Sequence, residues 1–114
     1  MVVEDEQSNF LFLQALLRIT GISIFRAETG NEAIDLMQVH PEIDFILMDI
    51  KLPDMDGLEA TRIIKASHDI PIIAQTAHAF AEDKRQALAA GCDAYLAKPL
   101  DKGLLLQTIN KLIS

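Results

Sequence analysis

Four apolar residues in a row, Phe45 to Met48, run directly into a carboxylate, Asp49. An unbroken apolar run of this length, bounded by turn residues, suits a strand buried on both faces, as in a parallel sheet. The next stretch contains Pro53, Asp54, Asp56 and Gly57 and reads as a loop. Asp49 therefore belongs at the C-terminal end of a central strand, facing that loop. In open α/β sheets this edge is where ligands bind. Taken by itself the carboxylate has an equally good bland explanation, since it could simply end the strand or cap the next element.

The rest of the chain repeats the pattern. Met1-Val2-Val3 is a short strand that stops at Glu4-Asp5-Glu6, as a domain cut from a longer chain would begin. Ser8 to Ile19 reads as a helix, with Phe10, Leu13, Leu16 and Leu17 at helical spacing and Gly21 placed to end it. Ile22 to Ala27 has strand character. Thr29 and Glu32 form a capping box for a helix carrying Ala33, Ile34, Leu36 and Met37, which Pro41 terminates. Leu58 to Ala66 is a third helix with Ile63 and Ile64 inward. Pro71 to Ala74 is a fourth strand, ending at Gln75-Thr76-Ala77. Glu82 to Ala90 is a fourth helix, closed by Gly91. Ala94 to Ala97 is a fifth strand, ending at Lys98-Pro99, and Asp101 caps a fifth helix. Strand and helix alternate five times, which predicts an α/β parallel sheet covered on both faces.

Composition narrows the function. At 114 residues the chain is the size of one domain, residues 1–114, and its half-hydrophobic composition supplies a core. A net charge of -7 argues against direct nucleic-acid binding and against anionic membrane surfaces. No apolar run approaches a membrane span and no signal peptide is visible. The single cysteine, Cys92, excludes an internal disulfide and reads as a packed hydrophobe. A cytoplasmic setting fits these features.

Parallel strands all point the same way, so their C-terminal ends share one edge. The first strand delivers Glu4 and Asp5, the third Asp49, the fourth Thr76 and the fifth Lys98. If the first and third strands are neighbours, three carboxylates converge. At ~4 Å and an effective dielectric near 20, each like-charge pair costs about 4 kcal/mol. Such a site calls for a cation, and hard oxygen ligands favour Mg²⁺. With a lysine and a hydroxyl beside it, the site suits a phosphoryl group. Each of Thr76 and Tyr95 also has a plain reading, as a strand residue and a surface aromatic. His40, His68 and His78 have no ligand spacing. Asp54 and Asp56 read as turn residues.

Five stretches together resemble the receiver domain of two-component response regulators. They are Val2-Val3-Glu4-Asp5, Met48-Asp49, Leu52 to Gly57, Ile73 to Ala77 and Tyr95 to Pro99. The resemblance covers the whole chain, in order. It implies a flavodoxin-like (βα)5 three-layer sandwich with strand order 2-1-3-4-5. Asp49 would be the phosphoacceptor, taking a phosphoryl group from the phosphohistidine of a histidine kinase or histidine phosphotransfer domain. Mg²⁺ would be held by Glu4, Asp5, Asp49 and the backbone carbonyl of Lys51. Lys98 would neutralise the phosphoryl charge, and Thr76 and Tyr95 would move together as a switch. Lys98-Pro99 would be a cis peptide bond. The surface formed by the fourth helix, fifth strand and fifth helix would serve partners, including a second copy. Lys51 and His78, each two residues past a site residue, would flank the hydrolytic water and set the lifetime of the phosphoryl group.

Other readings remain at this stage. An aspartate-nucleophile phosphatase usually carries an acidic residue just past the nucleophile, where this chain has Ile50 and Lys51. A flavin protein would not place Glu4-Asp5-Glu6 at its phosphate loop. A degenerate receiver acting as a non-phosphorylated adaptor is the closest alternative. By itself the domain would only phosphorylate and dephosphorylate itself. Glu4, Asn9 and the stretches Thr76 to Ala79 and Gly91 to Leu96 look most like receivers fused to hybrid sensor histidine kinases.

Overall fold

The computed structural model describes residues 1–77 and 80–113, with residue 19 as backbone only. The elements run β1 (Val2–Val3), α1 (Gln7–Leu17), β2 (Arg26–Ala27), α2 (Gly30–Val39), β3 (Ile46–Asp49), α3 (Gly57–Ser67), β4 (Ile72–Thr76), α4 (Ala81–Ala90), β5 (Ala94–Ala97) and α5 (Lys102–Ile113). All strand pairs are parallel, in the order β2-β1-β3-β4-β5. This is the flavodoxin-like arrangement the resemblance implied.

Alternation along the strands divides the core into two layers. Val3, Ile46, Met48, Ile72 and Ala74 face α2, α3 and α4, where Met37, Ile64 and Ala87 meet them. Val2, Leu47, Ile73 and Leu96 face the other way, onto Leu13 and Leu17 of α1 and Leu105 and Ile109 of α5. All four residues of β3 are buried, as the apolar run predicts for a central strand. Cys92 is buried too.

Three expectations need correction. β2 covers only Arg26–Ala27 and not the run from Ile22. It is an edge strand whose one partner, β1, is itself two residues long, so there is little ladder to extend. Ile22 and Ile24 still pack against the core without strand geometry. The first helix leaves α geometry after Leu17 and closes through a 3-10 turn, Arg18–Thr20, onto Gly21 at φ 73°. Ile63 is 43% exposed, because the inward stripe of α3 runs through Leu58, Thr61 and Ile64 and its immediate neighbour turns away.

The caps behave as the residue types require. Thr29 accepts from the Glu32 N–H at 3.1 Å, while the Glu32 carboxylate reaches back to the Glu28 N–H at 2.7 Å. Asp101 accepts from the Leu104 N–H at 2.9 Å at the start of α5. Asp56 caps α3 through the Leu58 N–H at 2.9 Å. Asp54 reaches further than a turn residue would. Its two carboxylate oxygens accept from the Gly30 and Asn31 N–H groups at 2.8 and 3.0 Å, tying the β3–α3 loop to the start of α2. Those bonds hold its carboxyl below the usual carboxylate range. Among the described residues no helix is long and apolar enough to cross a membrane.

Candidate functional site

The sheet order makes β1 and β3 neighbours, so their C-terminal ends deliver Glu4, Asp5 and Asp49 to one place. One carboxylate oxygen from each lies within 4.8 Å of the others. Glu4 and Asp49 are buried, and Asp5 is exposed at the mouth. Lys98 reaches in from the end of β5. Its Nζ lies 3.1 Å from Glu4 Oε1 and 3.2 Å from Asp49 Oδ2. The Lys98-Pro99 peptide is cis, as the resemblance implied.

Backbone donors complete the frame. The Lys51 N–H donates to Asp49 Oδ1 at 3.2 Å, and the Glu6 N–H to Glu4 Oε2 at 3.3 Å. Arg26 was not anticipated here. Its guanidinium donates to the carbonyls of Glu4 and Asp5 at 3.3–3.4 Å and sits 4.6 Å over the Phe10 ring, which braces the acidic loop. Thr76, at the end of β4, is buried and shares a side-chain hydrogen bond with Tyr95 on β5. Tyr95 lines the cleft that holds Thr76, Lys51 and Asp56, and also a second cleft bordered by Leu88 and Leu104. Lys51 is exposed. His78 lies outside the described residues.

Crowding shows in the protonation of the site. Burial and then the Asp49 charge push the Glu4 carboxyl up to about 7, against the pull of Lys98. Burial works against the Lys98 ammonium, but Glu4 and Asp49 outweigh it and raise its pKa. A carboxyl raised in the folded state holds its proton more tightly there than in the unfolded chain. Its contribution to stability is complete below the ordinary value of 4.5 and is lost as pH climbs through about 7. Ionised Glu4 is therefore a costly state that a divalent cation would relieve. Three hard oxygen donors within 4.8 Å of one another are of the kind that Mg²⁺ accepts, so the residues fit that ion.

The family model for the response regulator receiver domain matches residues 1–110. The chain belongs to this family. Among curated relatives, the polar-differentiation response regulator DivK of Brucella ovis is 38% identical over 112 residues, 96% of this chain and 90% of DivK. The sensor protein GacS of Pseudomonas syringae pv. syringae is 38% identical over 117 residues. The chain spans 97% of itself in that match but only 13% of GacS. A solved receiver domain, that of the sensor histidine kinase PA1611 from Pseudomonas aeruginosa, is 36% identical with TM-score 0.89, covering 98% of this chain and 93% of that one. It carries a magnesium ion coordinated in its active-site cleft. The receiver of the Saccharomyces cerevisiae response regulator Ssk1 was solved with the histidine phosphotransfer protein Ypd1, and this match has 31% identity and TM-score 0.90 over 98% of this chain and 86% of that one. This receiver thus has the fold, the acidic cluster and the relatives of a two-component signalling domain.

Gly57 and Gln75, like Arg26, carry no sequence signal of their place in the site. Gly57 was read as a turn glycine. A Cβ built there would lie 2.1 Å from the Asp49 carbonyl oxygen, so its absence lets α3 begin against the end of β3. Gln75 was read only as the end of a strand, and no pattern in the chain marks it.

Proposed function

We propose that Asp49 accepts a phosphoryl group from the phosphohistidine of a histidine kinase or histidine phosphotransfer domain. The observation that carries this reading is the meeting of Asp49 with Glu4, Asp5 and Lys98 at the ends of three strands. One Asp49 carboxylate oxygen forms the new bond to phosphorus. The phosphorus–nitrogen bond breaks and its electron pair leaves on the donor imidazole. Glu4, Asp5, Asp49 and the Lys51 carbonyl hold Mg²⁺, which supplies charge neutralisation to the phosphoryl oxygens when bound. The Lys98 ammonium neutralises the remaining charge. The Lys51 N–H bond fixes the rotamer of the acceptor. An adaptor that never carries phosphate is not favoured, because Asp49, Lys98 and Thr76 all occupy the site.

The hydroxyl of Thr76 is the sensor, and its bond to Tyr95 passes the change outward. Tyr95 borders a surface cleft between α4, β5 and α5 where Leu88 and Leu104 are 46% and 49% exposed. That face serves the partner or a second copy. Lys51, exposed two residues past the acceptor, covers the in-line approach of water and lengthens the life of the phosphoryl group, together with His78. The match to the receiver of a sensor kinase supports a parent protein of the hybrid-kinase type with its receiver in the cytoplasm, and the match along 90% of DivK supports a free-standing regulator as the alternative.

Acetyl phosphate with Mg²⁺ should add one phosphoryl mass that base and hydroxylamine remove. Asp49→Asn should abolish the uptake. Equal labelling of parent and variant would exclude Asp49 as the acceptor. The metal reading makes its own demand. Mg²⁺ takes ionised Glu4, which carries a proton below about 7 in the metal-free protein. Calorimetric affinity should be level above that pH and fall about tenfold per pH unit below it. Affinity that is flat down to pH ~5.5 would remove Glu4 from the metal site.

A further inference from the structure

Strand register puts Glu4, Asp49, Gln75 and Leu96 in one row across the sheet. Asp49 pairs with Gln75, Gln75 pairs with Leu96, and Glu4 follows Val3, which pairs with Met48. Side chains at one level of a parallel ladder share a face. This face is the α1 and α5 side, because Leu47, Ile73 and Leu96 all pack there. Lys98 lies two residues past Leu96 and so shares it. Neighbouring strands are ~4.8 Å apart, and β4 stands between β5 and β3. To bring Nζ within 3.2 Å of Asp49, the Lys98 side chain must cross the end of β4, where Gln75 and Ala77 line the same pocket as Lys98.

Gln75 is 1% exposed, yet neither its Nε2 nor its Oε1 has a hydrogen-bond partner among the described residues. It lines a pocket of about 200 Å³ with Glu4, Lys98, Asn9, Phe12 and Leu13. A buried amide with no partner destabilises the form that contains it. Lys98 meanwhile pairs with two of the carboxylates that a divalent cation needs, so the two compete for their charge. A displaced ammonium has three N–H donors and no acceptor capacity, and with its side chain only 21% exposed it gains from an oxygen on the protein.

We propose that Gln75 is a positioning residue for Lys98, whose ammonium donates to Gln75 Oε1 once a divalent cation occupies the carboxylates. The inference rests on the metal reading above. The cation-free form leaves the amide idle. The cation-loaded form uses it to park Lys98 beside Asp49, ready for the incoming phosphoryl group. The amide thereby lowers the cost of exchanging ammonium for metal.

The test compares Gln75→Met, close in length and without an amide, with the parent. The metal-free variant should melt at the same temperature or higher. Its Mg²⁺ dissociation constant by calorimetry should rise about tenfold, the lower end of the value of one hydrogen bond to a charged group. Gln75→Leu should repeat both results, which guards against a packing defect peculiar to Met. In a Lys98→Met background the effect of Gln75→Met on Mg²⁺ affinity should vanish, a coupling that a purely structural role would not produce. Variants that bind Mg²⁺ as the parent does, or a penalty that persists without Lys98, would overturn the proposal and leave the metal reading intact. A parent that binds no Mg²⁺ would take down both.

Discussion

Lys98→Met should melt well below the parent at about pH 8 without metal, and the gap should narrow as pH falls toward about 6. Among the described residues, its Nζ is the ammonium within ion-pair range of Glu4 and Asp49. Removing it leaves two carboxylates in contact, with side chains 1% and 8% exposed. Breaking a buried pair from one side costs about 3–5 kcal/mol. The Lys98 side chain is 21% exposed and its site opens to water, so screening reduces this to about 2 kcal/mol, or roughly 8–10 °C. The pH dependence comes from Glu4. Its carboxyl already sits near 7 with Lys98 present, and without the ammonium it moves higher. Below that range Glu4 is neutral, the repulsion is gone and the variant recovers. Millimolar Mg²⁺ should then stabilise Lys98→Met more than the parent, since the ion no longer competes with an ammonium and its linkage contribution grows with affinity. A loss of equal size at both pH values would show that Lys98 acts through packing of its stem and not through charge.

The features legible in the chain and those hidden from it divide along physical lines. β3 was legible because a strand buried on both faces needs an unbroken apolar run, and Phe45 to Met48 has no other comfortable setting. The convergence of Asp49, Glu4, Asp5 and Lys98 was legible because parallel strands carry their C-terminal residues to one edge. The order of the strands was not legible from periodicity, and resemblance supplied it. Without it nothing in Val2-Val3 says that β3 and not β5 lies beside β1. β2 was overread because β-branched and aromatic residues from Ile22 to Phe25 fit strand propensity. At an edge, however, the length of the partner decides how far the ladder runs. Asp54 and Arg26 were misread or passed over for one reason. Each acts on an element far away in sequence, and short-range patterns carry no trace of that.

The same distinction governs Gly57→Ala. Among the described glycines, Gly21 and Gly91 have positive φ, whereas Gly57 does not, so backbone conformation alone would admit alanine. Space does not. The new Cβ would stand 2.1 Å from the Asp49 carbonyl oxygen and 2.9 Å from Ile50 Cα, both backbone atoms where β3 ends. Nothing flexible lies in the way that could move aside. The Gly57 N–H also donates to the Ile50 carbonyl at 2.7 Å, which pins the start of α3 against the same segment. Relief requires α3 to lift or β3 to shift. Either movement disturbs Asp49, its Lys51 N–H bond and the 2.9 Å Asp56 cap of α3. Overpacking of this severity costs about 3 kcal/mol or more, a fall of roughly 10 °C or greater in melting temperature. Uptake from acetyl phosphate should drop with it at temperatures where the variant is still folded, because the acceptor oxygen has moved. Gly103→Ala is the control. There the nearest atom to the new Cβ is Asp101 Oδ2 at 3.4 Å, within α5, where alanine gains up to about 1 kcal/mol of helix propensity. That variant should melt at or slightly above the parent. If Gly57→Ala melts with Gly103→Ala and takes up phosphate at the parental rate, α3 does not seat against the end of β3 as closely as this contact requires.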